Sequence, residues 1–386
     1  MLLALLVTAA FAPLLLPKSA RACGGCFAPP SAATVVTAHR MAVSISVGQT
    51  TLWDQIQYAG DPRDFVWVLP VQGGVAVELA DNAFFEALEE RSVPILTGTS
   101  LNSGGGPCPD CPCCSAAGPG GAPSDTVTVH HSAVIGPYET ATIGSDDPNA
   151  LIAWLDENGY AVPDSTLGLI DHYVDQGMEF AVLRLRPGAG VQQMQPVRVT
   201  MPGLVPVFPL RMVGAGVADE VELLLFVIGE GRYAPENYPF TEIDRSALVY
   251  DWDAASYNYD EVFDRAVGER AWVTEHAGAL LAELPGDDGR VAHARIALPY
   301  LTRLRTRLGP QELDQDLILA ASSLPDVSRY LDVRRAVGSP PVFSCPPPGS
   351  CGPDERSDHG CSATGEDPRS LFPALIVVTW LFVRRR

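Results

Sequence analysis

Residues 34–58 alternate apolar and polar side chains, and this period of two constrains the fold more than any other feature of the sequence. Successive side chains of a β-strand point to opposite faces, so such alternation is typical of a strand with one buried face. The apolar positions include Met41 and Val43 before a break and Ile56 after it. The break, Ser-Val-Gly-Gln-Thr at 46–50, has the composition of a turn. The segment therefore predicts a β-hairpin.

Further periodic segments predict an α+β fold, with mostly antiparallel sheets and several helices. The predicted strands are 65–69, 126–135, 138–143, 180–185, 197–200, 207–212 and 221–228. The predicted helices are 83–91 (capped by Asp81 or Asn82), 146–158, 164–176, 259–269 and 301–319. Past residue 235 the strand pattern fades. No internal repeat is evident, and residues 23–337 are expected to form one α+β domain.

Residues 98–125 interrupt this domain with a Cys/Gly/Pro-rich loop insertion that has almost nothing to bury. Its cysteines have the spacing of thiolate metal ligands, so a zinc or redox module is one interpretation. In an exported chain the thiols oxidise, and we favour disulfides. The insertion contains four of the eight disulfide candidates, which are Cys23, Cys26, Cys108, Cys111, Cys113, Cys114, Cys345 and Cys351.

The N-terminus has the pattern of a secretory signal peptide over residues 1–22. An apolar run ends at Leu16, and Ala20-Arg21-Ala22 is the small-x-small sequence that signal peptidase accepts. Cleavage is predicted between Ala22 and Cys23. A cysteine at the mature start also suggests a lipoprotein, but Ala20 stands where a lipobox has an aliphatic residue.

The C-terminus consists of a Pro-rich polar linker, 338–370, and a hydrophobic tail, 371–386. An apolar helix of the tail's length would reach about 20 Å, short of the ~30 Å hydrocarbon core. Arg384, Arg385 and Arg386 would lie on the cytoplasmic side. Together with Cys361, which precedes them on the linker, they resemble the MYXO-CTERM sorting tail of myxobacteria. That resemblance implies processing near Cys361 and surface attachment; a simple membrane anchor is the alternative.

The formal net charge of −20 argues against a nucleic-acid partner, which requires basic surface. Lys18 is the only lysine of the chain and is removed with the signal peptide. Schiff-base chemistry and a P-loop lysine are therefore excluded from the mature protein.

Several weaker patterns have a structural and a functional interpretation. The acidic segment 251–261 offers oxygen ligands for calcium, but Ser256 and Val262 break the EF-hand spacing, which favours a solvated loop. Aromatic residues crowd 233–259, where packing is favoured over a ligand surface. Arginines alternate at 303–307, where ion pairing is expected. The histidines form no metal motif; they are His39, His130, His131, His172, His276, His293 and His359.

A set of short stretches, taken in order, resembles the bacterial domain-of-unknown-function family 2330. They are Cys23–Cys26, 55–61 leading into 65–71, 134–139, 154–160, 196–200, 273–278 and 300–307. The resemblance covers nearly the whole mature chain. It implies a secreted or surface protein, and it assigns no catalytic residues.

Three classes of function remain open from the sequence. We expect an exported cell-surface or envelope protein that is a non-catalytic binding or structural protein, with no cofactor. Its expected partners are the export and sorting machinery, the membrane through the tail, and a surface polymer or protein. The alternatives are a cryptic secreted hydrolase and a metal or redox module built on Cys108–Cys114.

Overall fold

The computed structural model describes residues 26–27, 35–59, 66–73, 75, 77–98, 133–144, 147–158, 164–215, 220–280, 284–286, 296 and 298–340. The strands are β1 Cys26–Phe27, β2 Val35–Ile45, β3 Gln49–Ala59, β4 Val66–Val71, β5 Val77–Leu79, β6 Ile95–Thr97, β7 Ala133–Ile135, β8 Tyr138–Ile143, β9 Glu179–Leu185, β10 Val197–Pro202, β11 Val207–Phe208, β12 Val221–Gly229, β13 Tyr233–Pro235, β14 Phe240–Glu242, β15 Val249–Asp251, β16 Ser256–Tyr257, β17 Trp272–Ala279, β18 Tyr300–Leu308, β19 Leu317–Ala321, β20 Tyr330–Asp332 and β21 Arg335–Val337. The helices are α1 Asn82–Ser92, α2 Pro148–Glu157, α3 Asp164–Asp175, α4 Leu210–Gly214 and α5 Tyr259–Val267.

An eight-stranded sheet with the order β14-β17-β18-β12-β2-β3-β10-β5 forms the centre of the domain. Its β2–β3 hairpin confirms the prediction from the alternation, with Met41 opposite Asp54 and Val43 opposite Leu52. Ser46 closes the turn by donating its backbone N–H to the Gln49 carbonyl at 3.1 Å. Only β2–β12 and β14–β17 pair in parallel in this sheet. The predicted α+β class with mostly antiparallel sheets is confirmed.

A five-stranded antiparallel sheet, β1-β4-β9-β8-β7, packs on one face of the central sheet. The period of two places Trp67, Leu69 and Leu183 in the sandwich core, and places Val68 and Val182 on the opposite face. Because the second face packs against α2 and α3, strand β4 is buried on both faces, as its apolar run predicts.

Helix α1 covers the other face of the central sheet. Its N-terminus is capped by Asp81, whose carboxylate accepts the Ala83 N–H at 2.9 Å. Phe84 stacks on Trp53 with 4.5 Å between ring centroids, so α1 is held on the sheet near β3. The predicted helices 83–91, 146–158, 164–176 and 259–269 are confirmed to within two residues at each end.

Two predicted elements are wrong. Residues 301–319 form two strands, β18 and β19, instead of a helix. Leu301, Leu304 and Leu308 have helical spacing, but they lie on two different buried faces of the sheet: Leu301 faces α1, and the other two face the sandwich core. Residues 207–212 do not form one strand, because β11 ends at Phe208 and α4 begins at Leu210 after Pro209.

The expectation that strands fade past residue 235 is also wrong, because β14 to β21 lie there. Strand β17, for which no element was predicted, contains a bulge between Thr274 and His276, which disturbs its alternation. Helix α5 and β17 pack together around Phe263 and Val273.

The insertion 98–125 (beyond Gly98), strand positions 126–132, the signal peptide, most of the linker and the whole tail lie outside the described residues. Among the helices that the structure does describe, none is long and apolar enough to cross a bilayer.

Candidate functional site

A cleft of about 470 Å³ opens on the α1 face of the central sheet, over the adjacent strands β2, β12, β18 and β17. The end of α1 and the chain leading into β6 form one wall, and the first residue of α5 contributes to another. The lining residues are His39, Arg40, Glu89, Val93, Pro94, Leu96, Glu222, Leu224, Tyr259, Glu275, Arg303 and Arg305. All of the polar members are ionisable, and three of them, His39, Glu275 and Arg303, are buried, where ionisable side chains are rare unless they are paired.

Three arginines of β18, Arg303, Arg305 and Arg307, share one face of the sheet because they alternate along the strand. We call them the arginine stripe. Arg303 donates from Nε to Glu275 Oε2 at 2.6 Å and from Nη1 and Nη2 to both oxygens of Glu89 at 2.7 and 3.1 Å. Its side chain is only 5 % exposed. A cation can be buried at this position because two carboxylates pair with it.

Arg305 and Arg307 share one carboxylate. Arg305 binds both oxygens of Glu222 in a bidentate pair at 3.0 and 2.9 Å, and Arg307 reaches Glu222 Oε2 at 3.0 Å and also pairs with Asp264. Both guanidinium groups lie over the Phe263 ring, at 4.1 and 5.3 Å from its centroid. Burial alone would raise the pKa of Glu222, but the hydrogen bonds and charges of the two arginines outweigh burial and lower it.

Glu275 is the most deeply buried acid of the cleft, with a side chain that is 0 % exposed. It lies in the β17 bulge, which places it beside the arginine stripe. Tyr259 donates its hydroxyl to Glu275 Oε1 at 2.7 Å, and Arg305 reaches the same oxygen at 3.4 Å. Burial, and then the Glu275 charge, raise the pKa of Tyr259, so this hydroxyl remains a proton donor to the carboxylate.

Arg40 is the cation of the cleft that has no acid partner among the described residues. Its Nε is buried and donates to no acceptor, and its guanidinium lies 5.7 Å from the centroid of the Phe85 ring. Gln55, opposite Arg40 in the hairpin ladder, donates its amide to Asn82 at 2.7 Å and leaves its own Oε1 without a donor. A buried unpaired donor costs about 1–3 kcal/mol, so this position has an unmet demand for an acceptor.

The acids of the cleft are engaged within the protein. Each of its three glutamates accepts hydrogen bonds from an arginine, and the one imidazole of the lining, His39, is hydrogen-bonded to Asp54. The residues that line it include no serine, threonine or cysteine to act as a nucleophile. What the arrangement offers is a fixed set of hydrogen-bond donors beside an apolar wall of Val93, Pro94 and Leu96.

His39 borders the cleft and also a second, much smaller cavity of about 20 Å³ in the sandwich core. Its Nε2 is hydrogen-bonded to Asp54, and both side chains are nearly fully buried. The second cavity is walled by apolar residues such as Leu69, Leu210 and Met212. The hydrogen bond gives each of these buried polar side chains a partner.

Most residues that the sequence singled out lie outside the described residues. This applies to the predicted cleavage, disulfide and sorting positions except Cys26, whose backbone pairs with Trp67 in β1–β4. Of the histidines, His276 lies near the Val327 carbonyl at 3.0 Å, and burial lowers its pKa. His172 contacts Gln176 on an exposed helix surface.

The weaker patterns receive structural interpretations. Asp251 accepts hydrogen bonds from the backbone N–H groups of Asp253 and Ala254 and so forms a local turn. Within the described residues, no group of three or more His, Cys, Asp or Glu is placed to hold a metal ion. Tyr250 packs edge-on against Trp252 and Tyr257. The ion pairing expected for the arginine stripe is present.

Neither the acid partners of the stripe nor Arg40 was predicted from the sequence. Glu89, Glu222, Glu275 and Arg40 lie on four different elements, and no local pattern connects them. The only signal was the period-two arginine run, which implies a row of acids on neighbouring strands once it is assigned to a strand.

Comparisons with known proteins identify a family and no function. The sequence profile described as "Uncharacterized protein conserved in bacteria" (DUF2330) matches residues 17–320. A search of curated proteins found no match. Among solved structures, the baculovirus P35 crystal structure is 8 % identical, covers 76 % of this chain and 98 % of its own, and gives a TM-score of 0.35. A TM-score of this size does not establish a shared fold.

Proposed function

We propose that this chain, which belongs to the bacterial domain-of-unknown-function family 2330, is an exported protein attached to the cell surface that binds a ligand in its charged cleft without transforming it. The proposal that the cleft binds a ligand rests on which of its charged side chains are already paired. Its acids are all engaged by arginines, while one arginine and an apolar wall remain available. Fixed donors beside apolar surface are what a recognition site requires.

The sequence supports the location. An apolar run followed by Ala20-Arg21-Ala22 favours export, and the eight cysteines besides Cys361 suit an oxidising compartment. Cys361, the short apolar tail and its terminal arginines favour recognition in the inner membrane, followed by processing and surface attachment.

Two variants test the location. Deleting residues 371–386 should release soluble, folded protein, because the core of the described domain contains none of those residues. Cys361→Ser should block surface attachment while export continues, and Ser362→Ala is the matched control. Protease digestion of intact cells measures both. Surface attachment of the Cys361→Ser protein would show that the tail is a plain membrane anchor.

A second experiment tests binding without turnover. The full chain is incubated with a library of small carboxylates, short peptides and saccharides, thermal shifts are recorded, and each bound compound is recovered for mass spectrometry. Val93→Trp should abolish the shift, because Val93 lines the cleft and is 36 % exposed. Val134→Trp, on the other sheet at 60 % exposed, is the control.

The recovered compounds distinguish the classes of function. Unchanged mass with a shift lost only in Val93→Trp supports the proposal. Cleaved compounds would establish the hydrolase alternative. Binding that depends on free thiols of Cys108–Cys114 and stoichiometric zinc would establish the metal or redox alternative.

A further inference from the structure

We infer that Arg40 is the anchor of the cleft and binds the carboxylate of a small apolar ligand. This inference rests on the proposed function and specifies its ligand. It follows from the position of Arg40, from the absence of an acid left for it among the described residues, and from the apolar residues that line the same cleft.

The strand ladders fix the place of Arg40. It lies on β2 opposite Leu224 of β12, and Leu224 is opposite Arg305 of β18. Arg40 and Arg305 are therefore two strands apart, about 10 Å at the usual strand spacing. Leu224 forms the apolar floor between an unpaired guanidinium on one side and a neutralised one on the other.

The acids that line the cleft are already engaged. Glu89 is bound bidentately by Arg303, Glu222 is shared by Arg305 and Arg307, and Glu275 is held by Arg303, Arg305 and the Tyr259 hydroxyl. A carboxylate rotated toward Arg40 would give up the charge-assisted hydrogen bonds that it now accepts from the arginine stripe. The anion that satisfies Arg40 must therefore come from outside the described part of the chain.

Gln55, opposite Arg40 in the hairpin ladder, has a buried amide oxygen that accepts no hydrogen bond. A bond from Arg40 Nε to the Gln55 amide oxygen would satisfy one donor, but it would leave the charge and the two Nη groups unneutralised. The planar guanidinium presents paired donors whose geometry matches the two oxygens of a carboxylate.

The wall beside Arg40 selects the rest of the ligand. Val93, Pro94, Leu96 and Leu224 supply apolar contact, and about 470 Å³ holds one amino-acid residue or a dipeptide. The net charge of −20 opposes the approach of an anion, but surface charges are screened beyond about 8 Å at physiological salt. Recognition therefore depends on local contact, which favours a single carboxylate next to an aliphatic group over a polyanion.

A carboxylate next to an aliphatic group occurs both in free aliphatic acids and at the C-terminus of a peptide chain. Isothermal titration of the full chain in detergent micelles therefore uses two probes, 4-methylpentanoate and acetyl-Ala-Leu, each paired with its uncharged amide. We expect at least one acid to bind and its amide to bind about tenfold to a hundredfold more weakly, the range for a charge-assisted hydrogen bond. The tighter of the two acids identifies the source.

Variants assign the effect to Arg40. Arg40→Gln should weaken the binding of the acid by the same factor and leave the binding of the amide unchanged. Arg40→Lys should retain part of the affinity for the acid because it keeps the charge. Arg186→Gln removes an exposed arginine beyond β9 of the other sheet and should change nothing. Thermal unfolding of each variant confirms that it is folded.

Three results would overturn the inference: neither acid binds, the amides bind as well as the acids, or Arg40→Gln binds like the native chain. If library compounds in these cases still give a thermal shift that is lost in Val93→Trp, the cleft binds a ligand of another class and the proposed function survives. If nothing in the library depends on Val93, both are wrong.

Discussion

Replacing Glu275 by Gln removes one negative charge from the buried centre of the cleft and preserves the shape of the side chain. The carboxylate accepts from Arg303 at 2.6 Å, from Tyr259 at 2.7 Å and from Arg305 at 3.4 Å, and its side chain is 0 % exposed. In Glu275→Gln the amide nitrogen must face one of these donors. The variant therefore loses both charge and acceptor capacity.

Breaking a buried pair by neutralising one partner typically costs about 3–5 kcal/mol. Arg303 retains Glu89 and Arg305 retains Glu222, so each guanidinium keeps an anion and the low end, about 3 kcal/mol, applies. Domains are stable by roughly 5–15 kcal/mol, so this is a large fraction of the total.

Urea unfolding of Glu275→Gln, followed by far-UV circular dichroism, measures the cost from the midpoint at unchanged slope. Glu139→Gln is the matched control, because the Arg184–Glu139 pair is 41 % and 33 % exposed and should be worth about 1 kcal/mol or less. If Glu275→Gln costs no more than Glu139→Gln, the buried network does not hold the cleft together.

Three further results are expected. Because the pKa of Glu222 is lowered in the fold, its contribution to stability is full above the unfolded value near 4.3 and is lost as the pH falls through the folded value; urea midpoints of Glu222→Gln should therefore decline less than those of the native chain between about pH 5 and 3. Trp53→Ala should destabilise by about 3–5 kcal/mol in urea, since it empties the contact with Phe84, and a loss below 1 kcal/mol would contradict the packing of α1. The four cysteines of the insertion should be oxidised in exported protein by non-reducing mass spectrometry with alkylation; four free thiols with stoichiometric zinc would refute this.

Much of the fold was predictable, because its clearest strands and helices each have a regular pattern of apolar residues along their own sequence. The hairpin 35–59, the doubly buried β4 and the capped helix α1 each follow from local sequence. The failures have local physical causes. Where a strand is buried on both faces, as β18 is, its apolar residues no longer alternate and can imitate a helix. In β17 a bulge interrupts the alternation, and at 207–212 a short strand gives way to a helix after Pro209.

The cleft was less predictable than the fold, because its residues come together only through strand order. Arg40, Leu224 and Arg305 are neighbours because β2 pairs with β12 in parallel and β12 with β18, and the sequence between them carries no trace of that pairing. The arginine stripe was visible as a pattern, but its acids Glu89 and Glu275 could be located only in three dimensions.

A crystal structure of the protein with the tightest-binding library compound would show whether the cleft binds a ligand without transforming it. We expect density for an intact compound in the cleft over β2 and β12, with an acceptor group within hydrogen-bond distance of Arg40 and apolar atoms against Val93 and Leu96. A compound seated elsewhere, or a cleaved product in the cleft, would contradict it.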